Sequence, residues 1–226
     1  MEHPNSFYRG QTVFLTGATG GLGGCLLFKL VLAAETEKIY VLIRSSPEVA
    51  MAQWRKTMPQ QIDSIFATGK VHLVFGNITE PQFGIKTALL SEMAGSVTLI
   101  IHSAANTHWL EGLPVTMHNN CLPTLDLASM ATKFTHRVRF CHISTAYANS
   151  DRPDGPIEER IYRLGDPEAQ LAEILASGTV SGVDITTFLA PYCFAKHLTE
   201  ELLLSRYSSS LSIVIIRPTG ITSAVF

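Results

Sequence analysis

Charge is scarce in this chain: Lys and Arg number 17 and Asp and Glu 19 in 226 residues, for a formal net charge of -2. That balance offers no broad basic face to a nucleic-acid backbone, and the cations are scattered rather than clustered. Cysteine is scarce too. Cys25, Cys121, Cys141 and Cys193 stand far apart, form no C-x-x-C pair and follow no start resembling a cleavable signal, so a reducing, cytoplasmic setting is the expectation. No apolar run approaches the roughly 20 residues of a membrane-spanning helix; Leu26 to Ala34 is broken by Lys29. H-E-x-x-H, G-x-S-x-G and G-x-x-x-x-G-K-[ST] are all missing, which argues against metalloprotease, α/β-hydrolase and P-loop chemistry, and no metal site is expected among the eight histidines.

What is present is apolar and periodic. At 46% hydrophobic residues, the chain is long enough for one well-buried core, and residues 1–226 are expected to form a single domain. Thr12–Thr16, Ile39–Ile43, Val71–Phe75, Thr98–Ile101, Val138–Ile143 and Ser212–Ile216 read as buried strands. Gly21–Ala34, Ala50–Thr68, Ile85–Ala94, Val115–Lys133 and Tyr192–Tyr207 read as helices between them. Such alternation predicts an α/β fold with a doubly wound, mostly parallel sheet. Residues 149–190 interrupt the rhythm as a substrate-facing insertion, with one helix over Pro167–Ala176. The last residues, Ile221 to Phe226, carry no cap or polar tail, so the chain is expected to stop before a substrate lobe is complete.

The first strand–turn–helix reads Thr16-Gly17-Ala18-Thr19-Gly20-Gly21-Leu22-Gly23-Gly24. Glycines at this spacing permit positive φ, close backbone approach and helix–strand packing, while the helix N-terminus favours phosphate. Gly17, Thr19, Gly20, Gly21, Leu22 and Gly23 are therefore candidate contacts to a dinucleotide pyrophosphate. The second strand is followed by Arg44, where an NAD-preferring protein would show a carboxylate; an arginine suits a 2′-phosphate, so NADPH is the expected cofactor. Asn77 and Ile78 after the third strand, and Ser103, Ala104 and Ala105 after the fourth, would let adenine and ribose lie on the sheet edge.

Tyr192 and Lys196 stand four residues apart, on one helix face. Reduction of a carbonyl needs a proton donor for the oxygen as it gains charge. Tyr192 is the expected donor and Lys196 the cation that lowers its pKa and binds the nicotinamide ribose. Thr145, with Ser144 second, is the hydroxyl that would fix the substrate oxygen.

These residues resemble the extended branch of the short-chain dehydrogenase/reductase superfamily, and within it the male-sterility type NAD-binding domain of fatty acyl-CoA reductases. The resemblance runs from about Thr12 to Ser223. It is most particular in His142-Ile143-Ser144-Thr145-Ala146-Tyr147-Ala148-Asn149 and Ile157-Glu158-Glu159-Arg160-Ile161-Tyr162, and in Arg217-Pro218-Thr219, which resembles the family's arginine-proline motif and adds Pro218 and Thr219 to the cofactor contacts. It implies NADPH-dependent reduction of a fatty acyl thioester to an aldehyde and commonly on to a primary alcohol, with Thr145, Tyr192 and Lys196 at the active-site positions. Thioester reductase domains, which take carrier-bound acyl chains, are nearly as similar. A non-catalytic NADPH-binding module stays open as an alternative. The chain departs from the family at Asn77, usually Asp, and at Pro123, customarily Gly. Acyl chain length, carrier, final product and oligomeric state are not legible here.

Overall fold

The computed structural model describes residues 4–221; the closing residues Thr222–Phe226, on which the expectation of a truncated end partly rests, lie outside them. Among the described residues six strands form one sheet in which every pairing is parallel: β1 (Thr12–Thr16), β2 (Lys38–Ile43), β3 (Val71–Phe75), β4 (Leu99–His102), β5 (Arg139–Ile143) and β6 (Ser212–Ile216), in the order β3-β2-β1-β4-β5-β6. The order reverses between β1 and β4, and in a doubly wound sheet the crevice beyond the strand ends at that point receives the ligand.

Alternate side chains of each strand go to opposite faces. Phe14, Tyr40, Leu42, Val74, Ile100 and Phe140 pack beneath α4 (Thr87–Ser96), α5 (Leu113–Thr116), α6 (Leu122–Ala131) and α8 (Pro191–Tyr207). Val13, Leu15, Ile39, Val41, Ile43, Leu99 and Ile101 pack beneath α1 (Gly21–Leu32), α2 (Pro47–Thr57) and α3 (Ile62–Ala67). With both faces covered, the inner strands read as unbroken apolar runs rather than alternating ones. Val214 and Ile216 on the edge strand β6 are half exposed.

Two helices depart from the sequence expectation. The single helix expected over Ala50–Thr68 is two, α2 and α3, because the ring of Pro59 disfavours helical backbone at Met58, which sits at φ -138° and ψ 56°. The expected helix Val115–Lys133 runs continuously but contains a π turn over Met117–Cys121, where the Leu122 N–H reaches back to the Met117 carbonyl. Pro123 has no N–H to give and its ring would strike the carbonyl one turn back, so the helix widens there. Within 149–190 the helix α7 (Pro167–Ser177) forms as expected, capped by the Asp166 carboxylate on the Glu168 and Ala169 amides and stopped by Gly178 at φ +79°.

Candidate functional site

The glycine turn is shaped by contacts that leave no room for side chains. Gly17 holds φ +76°, and a Cβ there would lie 2.6 Å from the Ala104 nitrogen; one at Gly23 would lie 2.1 Å from the Gly17 carbonyl oxygen. Both neighbours are backbone and cannot swing aside. Beneath the turn, Trp54 of α2 donates its indole N–H to the Ala18 carbonyl at 2.8 Å. No side chain caps α1 at Gly20, so the first-turn amides of Gly21, Leu22 and Gly23 are free for an anion, assisted by the helix dipole.

In front of this turn lies a cleft of about 590 Å³ lined by Gly17, Thr19, Gly20, Arg44, Asn77, Ile78, Ser103, Ala104 and Ala105. The structure thus brings nine of the expected cofactor contacts onto one surface. Gly23 acts differently, as the packing residue behind the turn. Arg44 is exposed at the end of β2 and makes no hydrogen bond or ion pair with the described residues, so its guanidinium is available. Asn77 is set by a strained loop: its N–H donates to the Phe83 carbonyl at 2.9 Å and its Oδ1 accepts from the Thr79 amide at 3.3 Å. Gln82 and Phe83 hold φ of 49° and 59°, a left-handed backbone costing on the order of 1 kcal/mol per residue, kept in place by the fully buried Phe83 ring.

A line of hydrogen bonds ties the cleft to the helices and fixes a tautomer. The Thr124 hydroxyl donates to the Asn120 carbonyl at 2.6 Å, so toward His102 Nε2, 3.1 Å away, it accepts. His102 Nδ1 then accepts from the Thr16 hydroxyl at 2.8 Å, and Thr16 Oγ1 in turn receives the Ala104 N–H at 3.2 Å. Burial pushes the His102 pKa down to about 3, in keeping with the neutral ring that this line requires. Asn120 continues it: its Oδ1 accepts the Asn106 N–H at 2.7 Å and its Nδ2 donates to the Asn106 carbonyl at 2.9 Å. Thr16, Asn106, Asn120 and Thr124 were not among the expected site residues. The four-residue step from Asn120 to Thr124 signals a shared helix face, but nothing in a sequence announces that both point at the β4 exit.

Thr145 follows β5, and Tyr192 and Lys196 sit on the first turns of α8; all three are buried. Ser144 and Thr145 divide as successive residues in extended backbone must. The Ser144 hydroxyl donates to the Glu200 carboxylate, which removes it from substrate, whereas Thr145 keeps its hydroxyl hydrogen free while Oγ1 accepts the Tyr147 amide at 3.3 Å. The Lys196 ammonium donates to the Ile143 carbonyl at 2.9 Å and lies 6.0 Å from the centre of the Tyr192 ring. Burial pulls its pKa down to about 8, opposed by Glu200. The expectation that Lys196 lowers the Tyr192 pKa is not met: desolvation raises the phenol to about 12, the ammonium being engaged with the Ile143 carbonyl. The phenol is therefore fully protonated at neutral pH.

Glu200 anchors the opposite wall. Besides Ser144 it holds Arg217, whose Nη2 lies 2.5 Å from Oε2 and also donates to the Arg160 carbonyl at 3.1 Å. Arg217 thereby steadies Pro218, whose carbonyl accepts the Ala146 amide at 2.9 Å, next to Thr145 in the chain; Thr219 follows it and is exposed.

A doubly wound parallel sheet and a glycine turn with no room for a side chain define a Rossmann-type domain. The chain belongs to the male sterility protein family, whose NAD-binding model matches residues 15–225, and its cofactor is a nicotinamide dinucleotide. It is 31% identical over 230 residues to fatty acyl-CoA reductase 1 of Xenopus laevis, covering 94% of this chain and 44% of that protein. With fatty acyl-CoA reductase 1 of Arabidopsis thaliana it shares 24% identity over 262 residues, covering 97% and 53%. The chain spans about half the length of these relatives. Among solved structures, the terminal R domain from the myxalamid PKS-NRPS biosynthetic pathway superposes with a TM-score of 0.68 at 23% identity, over 93% of this chain and 49% of that one. An ADP-L-glycero-D-manno-heptose-6-epimerase of Helicobacter pylori reaches 0.61 at 16% identity, over 96% and 56%, so the fold alone does not choose the chemistry. Among the described residues no helix is long and apolar enough to cross a membrane.

Proposed function

We propose that this chain is the NADPH-binding and catalytic part of a reductase of fatty acyl-CoA thioesters: hydride and proton added across the carbonyl give a hemithioacetal, whose C–S bond breaks to release CoA as its thiol and leave an aldehyde, which a second round reduces to a primary alcohol. The observation that carries the reading is the Lys196 ammonium on the Ile143 carbonyl, which ties the helix turn bearing a buried, protonated Tyr192 to the end of β5 two residues before the free Thr145 hydroxyl, in a parallel sheet whose β1 ends in a cradle that fits a dinucleotide. The reductase names of the relatives supply the substrate class. Gly17 to Gly23 would hold the pyrophosphate, Asn77, Ile78 and Ser103 to Ala105 the adenosine side, and Pro218, Thr219 and Lys196 the nicotinamide side. When bound, the cofactor supplies the hydride. Thr145 orients the thioester oxygen, Tyr192 delivers its hydroxyl proton to that oxygen as negative charge develops, and the charged Lys196 holds the nicotinamide ribose and places a cation behind the site. Residues 149–190 form the substrate-facing side of this one domain, and four free cysteines accord with a reducing, cytoplasmic setting. Mixing purified protein with NADPH and long-chain acyl-CoA tests the reading: acyl-dependent loss of NADPH with aldehyde or alcohol formed supports it, and binding without loss refutes it.

Two consequences arise directly. Arg44→Asp is expected to reverse the cofactor preference, weakening NADPH by about a hundredfold and leaving NADH unchanged or better, since a charge-assisted contact becomes a like-charge repulsion; equal discrimination before and after would remove Arg44 from the site. Lys196, with its pKa depressed to about 8, carries its charge below that pH and loses it above. Reduction is thus expected to decline as pH rises through about 8, and in Lys196→Arg, whose cation does not titrate there, a flat alkaline limb is expected.

A further inference from the structure

The turn between β4 and α5 places large apolar side chains where solvent reaches them. Leu110 is fully exposed and Trp109 is 39% exposed, yet the turn is pinned at both ends. Asn106, already gripped by Asn120, donates from Nδ2 to Glu111 Oε2 at 2.8 Å across its neck and accepts the His108 N–H on Oδ1 at 3.0 Å. Held in this way, the Trp109 indole lies nearly parallel to the Tyr192 ring, 6.3 Å between centres at 22°, and edge-on to Tyr147 at 5.5 Å. The result is a wall of rings with Trp109 between Tyr192 and Tyr147, and Leu110 next to it in the chain with its side chain in solvent.

We propose that Trp109, Tyr147 and Leu110 form the subsite for the alkyl part of the acyl thioester, and that Trp109 and Leu110 set a preference for long, unbranched apolar chains. The proposal rests on the thioester reading above. Thr145 and Tyr192 fix where the carbonyl oxygen goes, so one of the two groups attached to that carbon must run along the ring wall. The carrier side, with amides and phosphates, would lose hydrogen bonds to water against an indole face and a leucine; an alkyl chain loses none. Each methylene removed from water strengthens binding about fourfold, so a wall of this extent discriminates by length. Offset rings at these distances are a stable arrangement in themselves, which keeps the surface formed in advance of binding.

The chain has two tryptophans. Trp54 is fully buried on the other face of the sheet, so a change in tryptophan emission on ligand addition reports Trp109. Titration with non-reacting S-alkyl thioethers of CoA of increasing length is expected to alter the emission, with affinity rising about threefold or more per methylene over the first several carbons. Trp109→Phe should abolish the signal. Leu110→Ser, at a residue whose side chain stands in solvent and supports no fold contact, should weaken the long thioethers about tenfold and leave CoA itself unchanged. Affinity independent of chain length in the unaltered protein, or equal losses for CoA and for every thioether in Leu110→Ser, overturns the proposal. Turnover of acyl-CoA with no length dependence would sink the subsite and keep the reductase, whereas length-dependent binding with no turnover would keep the subsite and sink the reductase.

Discussion

Tyr192→Phe is expected to lower acyl-dependent NADPH oxidation about a thousandfold or more and to change the dissociation constant of NADPH by no more than about twofold. The asymmetry follows from where the hydroxyl lies. The ring is buried against Trp109, and phenylalanine preserves that contact and its volume, so the fold and the cofactor cleft lose nothing. Among the described residues the hydroxyl has no hydrogen-bond partner to leave stranded. It is a protonated acid, its pKa raised to about 12 by burial; without it, no proton is delivered to the reacting oxygen as charge develops there. A variant with turnover within about tenfold of the parent protein would mean that another group delivers the proton, because positioned acids contribute on the order of a hundredfold to ten-thousandfold. A parallel loss of cofactor affinity would mean that the ring, not the proton, is what the site uses.

The strands and their parallel, doubly wound arrangement were legible in the sequence because a sheet covered on both faces draws on short apolar runs between helices: the inner strand β1 and the two edge strands β3 and β6 fall at the expected residues, Thr12–Thr16, Val71–Phe75 and Ser212–Ile216. Misreadings cluster at prolines whose consequences are not local: Pro59 divides a helix, and Pro123 keeps one continuous by widening it. In the site, the glycines, Arg44 and the Tyr192–Lys196 pair stand out because their chemistry is carried by residue type and spacing. Asn120, Thr124 and Glu200 do not, since each acts through a partner distant in the chain. Glu200 is instructive: on α8 its charge would pass for a solvated helix residue, but in the structure it is buried between Ser144 and Arg217. The direction of the Tyr192 shift was equally hidden, because it depends on desolvation outweighing a cation that turns toward a carbonyl.

Gly23→Ala is expected to be the most damaging single-methyl change in the cofactor turn, lowering stability by about 2–4 kcal/mol and NADPH affinity by at least about tenfold. Its new Cβ would stand 2.1 Å from the Gly17 oxygen, 2.5 Å from the Gly17 carbonyl carbon and 2.9 Å from the Ala18 Cα, all backbone. Gly17 cannot retreat: it is closed on the far side by Ala104 and Ser103, and Ala18 is held from below by Trp54. The helix start must then lift away from β1, taking its first-turn amides with it. Gly21→Ala serves as the contrast, because a Cβ there meets nothing within 4 Å and alanine favours a helix by up to about 1 kcal/mol over glycine; its melting temperature should stay level or rise. Thermal unfolding of the two variants beside the parent, with NADPH titrated by fluorescence, separates the roles. If Gly23→Ala melts with the parent protein and binds NADPH as well, the turn is more yielding than its contacts imply, and glycine at that position is not required by packing.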